Sequence, residues 1–551
     1  MKEYPILTLP ALLQRSVKKY GNRPVVSFVN ETPLTYTEFE KRRQSVTYLL
    51  EKMKIQPGDR VALLSSNSPD WGITYFAIAS MGAVVVPILP DFSVMEIENI
   101  LAHSESKAIF VSQGLKPKID SIKQDTLLHR ILVDDFSILE TNRRGIKFKE
   151  GKRPAKEYQV AEDDLAVIIY TSGTTGKSKG VMLTHKNLSS NAIASRGVQE
   201  INSGDRFLSV LPLSHTYENT IGFILPIICG ASIFYIKRPP TPAVLLPALK
   251  TVRPTLMLTV PLIIEKIYKN KVLPSFNKGK LTRTLYAIPT LRKKFNKLAG
   301  KKLMRTFGGE LKFFGIGGAK LDKTVEKFLR EAKFPYAIGY GLTETSPLLA
   351  GVNAKNTRLQ STGPALEGIT LKINNPKKLT GEGEIWAKGP SVMKGYYKEP
   401  GLTSEVMTED GWFKTGDLGI IDDSNYLYIR GRSKSVIIGS GGENIFPEDI
   451  ESIINNFKHV AESLVIQQKG KLVAMVHFNR AEIEGKYKDM KGELSGLIEE
   501  KCVELSKELH EYVNARVNKF SKIQRITVQK EEFVKTATKK IKRFMYAGVP
   551  A

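Results

Sequence analysis

Between Thr171 and Lys177 the chain passes through Ser172, Gly173, Thr174, Thr175 and Gly176, and Lys179 follows two residues later. Glycines let a backbone come close to a guest, hydroxyls add donors, and the two lysines add positive charge. A loop of this kind suits a polyphosphate. By composition alone, a solvated Gly/Ser/Thr loop is an equal alternative. The pattern G-x-x-x-x-G-K-[ST] almost fits, but Thr171 stands where its first glycine belongs, which makes a Walker-type site the weaker phosphate reading.

Two further constellations could serve a nucleotide. Gly317, Gly318 and Ala319 end the apolar run that starts at Phe313, and Tyr336 leads through a second such run to Tyr340, Gly341, Thr343 and Glu344. Strands ending in small residues place ligands at the carboxyl edge of a parallel sheet. There Tyr340 could stack on a flat ring. Thr343 could donate to a phosphate, and Glu344 offers a hard oxygen to Mg²⁺. Asp417, on the glycine-flanked turn Thr415–Gly419, could accept from a ribose diol. Each motif taken alone is also ordinary core or turn sequence.

The elements that must hold these residues read as α/β. Leu9–Tyr20 has helical spacing, Thr35 can cap a helix, and a helix around Trp71–Met81 precedes the strand-like Ala83–Pro87. Helices alternating with β-branched strands predict a largely parallel sheet covered on both faces. After about residue 431 the composition changes to short strands (463–467, 472–478) and amphipathic helices (448–455, 493–509). The expected division is therefore a large multi-layer domain, 1–431, and a small α+β domain, 432–551.

With these motifs in view, the chain resembles the acyl-adenylate-forming superfamily over nearly its whole length, and within it the long-chain fatty-acyl-CoA synthetases. The string 170–181, Tyr340–Thr345 and the C-terminal Lys535–Arg543 carry the resemblance. It implies ATP and Mg²⁺ as cofactors, a fatty acid as substrate, and coenzyme A as acceptor, with acyl-carrier protein as the alternative. It further implies that residues 171–177 hold phosphates, that 317–319, Tyr340 and Gly341 hold adenine, and that Asp417 holds ribose. Arg432 would contact phosphate, Glu344 would hold the metal, and His215 would gate the acyl pocket. Lys434 would be the hinge, Gly439, Gly441 and Gly442 would line the thiol channel, and Lys540 would be catalytic. Many relatives have Ser-Gly before that lysine; here Thr538 and Lys539 precede it, so Lys539 and Lys542 are competitors. Leu262 also departs from the arginine usual in the long-chain branch.

The composition is that of a globular protein, with a formal net charge of +26 over 551 residues. Cys229 and Cys502 form no metal-ligand spacing and suit a reducing compartment, and the start of the chain has no secretory pattern. A cytoplasmic protein, peripheral at most, is expected. Residues 221–236 are apolar but interrupted by Pro226 and Gly230, which reads as core. From Lys266 to Arg305 there is no acidic residue, and lysines and arginines alternate with Tyr268, Phe276, Tyr286 and Phe295. This is either a solvated face or a contact surface for an anionic membrane or an acidic carrier protein. Nucleic acid is not expected, because no recognised binding module accompanies the stretch.

Overall fold

The alternating pattern builds two large sheets. The computed structural model describes residues 4–171, 178–276, 279–438, 444–468, 470–487, 494–536 and 540–546, with the side chains of 280, 444, 485–487 and 494–497 excepted. The first sheet has eight strands in the spatial order Gly395–Tyr396, Lys179–Thr184, Leu165–Thr171, Val84–Ile88, Arg60–Leu64, Ala108–Val111, His129–Leu132 and Ile138–Thr141. Its centre is parallel and both of its ends turn antiparallel.

The second sheet has seven strands, in the order Tyr336–Ile338, Phe313–Ile316, Leu256–Thr259, Arg206–Ser209, Ser232–Tyr235, Pro24–Phe28 and Leu34–Thr35. The sequence pattern suggested a single sheet. What it did not show is that Pro24–Phe28 leaves its sequence neighbours and pairs in parallel with Ser232–Tyr235.

Between the sheets lie the helices Leu9–Tyr20, Tyr36–Lys52, Pro69–Ser80 and His185–Ser195, together with the apolar run beginning at Ile221. Thr35 and Glu38 close a reciprocal capping box at the start of the second of these, as the expected cap requires. The outer face of the eight-stranded sheet is covered by Val94–Ser104. The outer face of the seven-stranded sheet is covered by Pro242–Val252, Pro289–Thr306 and Lys323–Glu331. The run 221–236 is thus interior, and among the described residues no helix is long and apolar enough to cross a membrane. Both cysteines are buried free thiols.

A four-stranded antiparallel sheet, Thr370–Asn374, Gly383–Lys388, Phe413–Ile421 and Leu427–Arg432, follows. Beyond the short turn Ser433–Ser435 the chain forms a three-stranded sheet, Val460–Gln468, Lys471–Phe478 and Arg525–Gln529, packed on Pro447–Asn455 and Leu494–Asn514. Ile450, Ile454, Val465, Val476, Leu505 and Leu509 give this unit an apolar cluster of its own.

The two large sheets are joined by aromatic packing. Trp71 stacks on Tyr75 at 5.2 Å, and Phe223 presents its edge to both at 5.9 Å. Gly72 fits because a Cβ there would lie 2.7 Å from the Phe223 ring. Replacing Phe223 by Ala is expected to remove about 3–5 kcal/mol, measured as a fall in the urea midpoint. Ile6→Ala, at a 54% exposed position, should leave the midpoint unchanged.

Candidate active site

The strands Leu165–Thr171 and Lys179–Thr184 pair antiparallel, so the Gly/Ser/Thr loop joins two strands of one hairpin. A Walker loop would instead open a helix. Thr171 closes the first strand; Ser172, Gly173, Thr174, Thr175, Gly176 and Lys177 lie outside the described residues, as do Gly439, Gly441 and Gly442. The Lys179 ammonium lies 5.0 Å from the centroid of the Tyr396 ring, a cation–π contact. The Tyr396 hydroxyl in turn donates to Glu344 Oε1 at 3.0 Å. Tyr396 is carried on the neighbouring strand, paired with Val181. Its part in the site was missed from sequence, where the tyrosine pair 396–397 bore no distinguishing signal.

Glu344 sits on the single turn Thr343–Thr345, and the backbone carbonyl of Glu344 accepts from Met393 N–H at 2.8 Å. Its other carboxylate oxygen has no hydrogen-bond partner among the described residues, which leaves an open oxygen of the kind Mg²⁺ takes. No group of three or more His, Cys, Asp or Glu side chains that could hold a metal ion occurs among the described residues. Gly341 has a purely steric reason to be glycine: a Cβ would lie 2.0 Å from the Pro347 carbonyl oxygen.

Asp417 lies on Phe413–Ile421 directly across from Arg432 on the next strand. It is 5% exposed. Arg432 Nε donates to one of its oxygens at 2.8 Å, and the Tyr340 hydroxyl donates to the other at 2.8 Å. Burial pushes the Asp417 carboxyl up, and the guanidinium opposes that shift. Both sequence-derived partners of a nucleotide, Tyr340 and Asp417, therefore converge on one point, with the hydroxyl of Tyr340 turned to the carboxylate. Gly317 follows the strand Phe313–Ile316 and lies under the Tyr217 ring, and Gly318 adopts φ +85° beside it.

Lys540 comes to this cluster from the C-terminal unit. Lys535 pairs with Ile541, and Thr536 N–H donates to the Lys540 carbonyl at 2.7 Å, so the lysine stands at the end of a tight hairpin. Burial and the charge of Arg432 lower its pKa, while Asp417 and Glu344 pull it back up. Lys540 is itself exposed. The same charge reaches His215, whose pKa falls to about 4, first through burial and then through Lys540. His215 is neutral at pH 7, and its Nδ1 accepts from Tyr217 N–H at 3.2 Å, which places the proton on Nε2. Of the competing lysines, Lys539 lies outside the described residues, and Lys542 donates its backbone N–H to Val534 O. Arg543, three residues beyond Lys540, forks onto the buried carboxylate of Glu451, with one contact at 2.8 Å.

Further contacts set the small unit against the large one. Lys269 Nζ donates to the carbonyls of Asn455 and Val460 at 3.0 and 2.7 Å, and its burial lowers its pKa to about 8. Asp322, which caps Lys323–Glu331, also accepts from Ser452 and Asn456 at 2.8 and 2.7 Å. Lys320 pairs with Asp449 at 2.6 Å. Lys434 is exposed on the crossing turn between the two units.

Tyr217, two residues after His215, lines an almost wholly apolar cavity together with Ile221, Leu225, Leu258, Phe313 and Ala337 among others. Ile221 comes from a π-helical stretch, Glu218–Ile224, whose first residue is buried and accepts from Ser209 Oγ at 2.5 Å. Burial raises the Glu218 carboxyl to about 8, which keeps it protonated at neutral pH.

Comparison with known proteins identifies the family and the fold. The family model described as AMP-binding enzyme matches residues 13–397. A Drosophila melanogaster protein, long-chain-fatty-acid–CoA ligase heimdall, is 30% identical over 500 residues, covering 82% of this chain and 73% of that protein. An Arabidopsis thaliana chloroplastic long-chain-fatty-acid–[acyl-carrier-protein] ligase, AEE15, is 28% identical and covers 86% and 77%. Among solved structures, the ATP-bound RpMatB-BxBclM chimera B1 superposes with a TM-score of 0.76 at 23% identity, covering 99% of each chain. The Bacillus subtilis O-succinylbenzoate coenzyme A synthetase MenE, with ATP and magnesium, gives 0.74 at 23% identity over 97% and 98%. At that identity the likeness establishes the fold. A family match over residues 13–397, most of the chain, on a fold shared with these solved structures, assigns the chain to the AMP-binding enzymes.

Proposed function

We propose that this protein joins a long-chain fatty acid to ATP as an acyl-adenylate, with release of pyrophosphate, and then passes the acyl group to the thiol of coenzyme A with release of AMP. The observation that carries this reading is the convergence of Arg432 and Tyr340 on the buried carboxylate of Asp417, with Glu344 held by Tyr396 and an almost wholly apolar cavity lined by Tyr217. An apolar lining of this kind suits an aliphatic chain, whose carboxylate would meet Lys540.

A carboxylate oxygen attacks the α-phosphorus, the bond to the bridging oxygen breaks, and pyrophosphate leaves. Charge shifts among phosphate oxygens in this step, so the catalyst's task is electrostatic. Lys540 bridges the acid's carboxylate and the α-phosphate, Asp417 holds the ribose, and Thr171–Lys177 with Thr343 hold the phosphates. Arg432 contacts phosphate as well as Asp417. Gly317, Gly318, Ala319 and Tyr340 flank the adenine, and neutral His215 closes the pocket over the carboxylate. Glu344 would hold Mg²⁺, which would supply Lewis-acid charge neutralisation. The thiol sulfur then attacks the carbonyl carbon, its proton passes to solvent, and AMP carries away the bonding pair.

Residues 1–431 form the adenylating domain and 432–551 a cap that pivots near Lys434. The thiol approaches past Gly439, Gly441 and Gly442 once Lys540 has withdrawn. Acyl-carrier protein is the alternative acceptor, supported by the AEE15 likeness.

Pyrophosphate release measured across fatty acids of increasing length, with products identified in the presence of coenzyme A and of holo-carrier protein, tests the reading. Cleavage of ATP only between the β and γ phosphates would refute it. Lys540→Ala should slow adenylate formation about 10²–10³-fold while sparing thioester formation from preformed adenylate; equal loss in both halves would remove Lys540 from the first. The active form is the cation, so activity falls as pH rises through a pKa set below the ordinary lysine range. The alkaline limb of the pH profile should therefore lie lower in the wild type than in Lys540→Arg. Lys434→Pro should slow the second half-reaction and leave ATP binding intact, as read by single-turnover kinetics.

A further inference from the structure

The long basic stretch is not uniform in the folded chain. Lys269 is spent on the carbonyls of Asn455 and Val460, and Arg292 is paired with Glu331 at 2.9 Å. The aromatics are also withdrawn: Phe276 stacks on Tyr286 at 4.5 Å, and Phe295 packs against both. What remains outside is one face of the helix Pro289–Thr306. Lys293, Lys294, Lys297, Lys301, Lys302 and Arg305 are all exposed there, at the spacing of a single helical stripe, and none forms an ion pair among the described residues. Lys323–Glu331, packed beside it, exposes Lys323, Lys327 and Arg330; its own carboxylates, Glu326 and Glu331, are taken by Tyr336 and Gln360 and by Arg292.

Three large apolar side chains stand out in and beside this charge. Leu298 is 63% exposed, and Leu281 and Ile288, on and just after the preceding helix Lys280–Ala287, are 73% and 44% exposed. Leu298 is flanked along the helix by Lys294, Lys297, Lys301 and Lys302. We propose that this face, the outward stripe of Pro289–Thr306 with Leu281, Ile288 and Leu298, docks on the surface of an anionic phospholipid bilayer. The cations meet lipid headgroups, and the three apolar side chains sink to the acyl boundary while the lysine stems extend back to the phosphates.

Two observations favour a bilayer over other polyanions. A single-stranded nucleic acid would use exposed rings for stacking, and the rings here are packed on one another. An acidic carrier protein must deliver its thiol to the apolar cavity, but this helix lies on the opposite face of the seven-stranded sheet. Leu256, Leu258 and Phe313 point to the cavity, whereas Met257 and Phe314 point to the cluster that contains Leu303 and Phe307. The face is therefore a tether for the enzyme and not an entrance to its site.

The test is sedimentation of the full chain with vesicles of pure phosphatidylcholine and of phosphatidylcholine mixed with phosphatidylglycerol. Partition onto the mixed vesicles should be at least about tenfold stronger, and should be lost when salt rises from about 0.1 M to about 0.5 M. Lys294→Glu/Lys297→Glu/Lys301→Glu should lower it at least about tenfold, and Leu298→Ser, which leaves every charge in place, several-fold. Thermal melting checks that both variants fold before binding is read. Equal partition onto the two vesicle types, or unchanged binding by the triple variant, would overturn the proposal. So would a triple variant that keeps its hold on vesicles and loses it on a DNA duplex or on holo-carrier protein. Full binding by Leu298→Ser would overturn the insertion of the apolar side chains.

Discussion

The carboxylate of Asp417 is almost entirely out of water, and its position depends on Arg432 facing it across two antiparallel strands. A buried carboxylate that lost this cation would stay desolvated and uncompensated. Tyr340 adds the remaining donor from a different part of the chain, so three segments are fixed to one point. Arg432 is also the last residue of its strand, and the chain crosses to the small unit immediately after it. The ion pair thus also fixes where the crossing begins.

From that point the small unit is seated by polar contacts of limited extent. Lys269, Lys320 and Asp322 reach the helix Pro447–Asn455 and the residues just beyond it through side-chain hydrogen bonds and one ion pair. The unit's apolar cluster is its own. An interface of this kind can be exchanged for another without unfolding either side. Within the unit the lysine hairpin is held more firmly, because Arg543 forks onto a buried glutamate on the adjoining helix. The placement of Lys540 therefore follows the small unit as a body.

The apolar cavity depends on a different device. A π-helical stretch carries Ile221 into its lining, and the protonated Glu218 at its start accepts from Ser209 inside the core. Unbroken α-helical spacing would not present the same side chains to the cavity, and stretches of this type recur at functional sites.

The sequence by itself carried the local part of the story. Helical spacing and caps located Leu9–Tyr20 and the helix after Thr35, β-branched runs located the strands, and the Gly/Ser/Thr string with Tyr340–Thr345 and Lys535–Arg543 pointed to a nucleotide and an acid. These signals are legible because propensity, capping and motif spacing act over a few residues. Pairing Pro24–Phe28 with Ser232–Tyr235, setting Tyr396 against Glu344, and bringing Lys540 to Asp417 were decided only by the tertiary structure. The same holds for the basic stretch, where hydrogen bonds took up Lys269, an ion pair took up Arg292, and Leu298 was left on the surface. Each of these outcomes depends on which distant groups share a desolvated space, and linear spacing does not encode that.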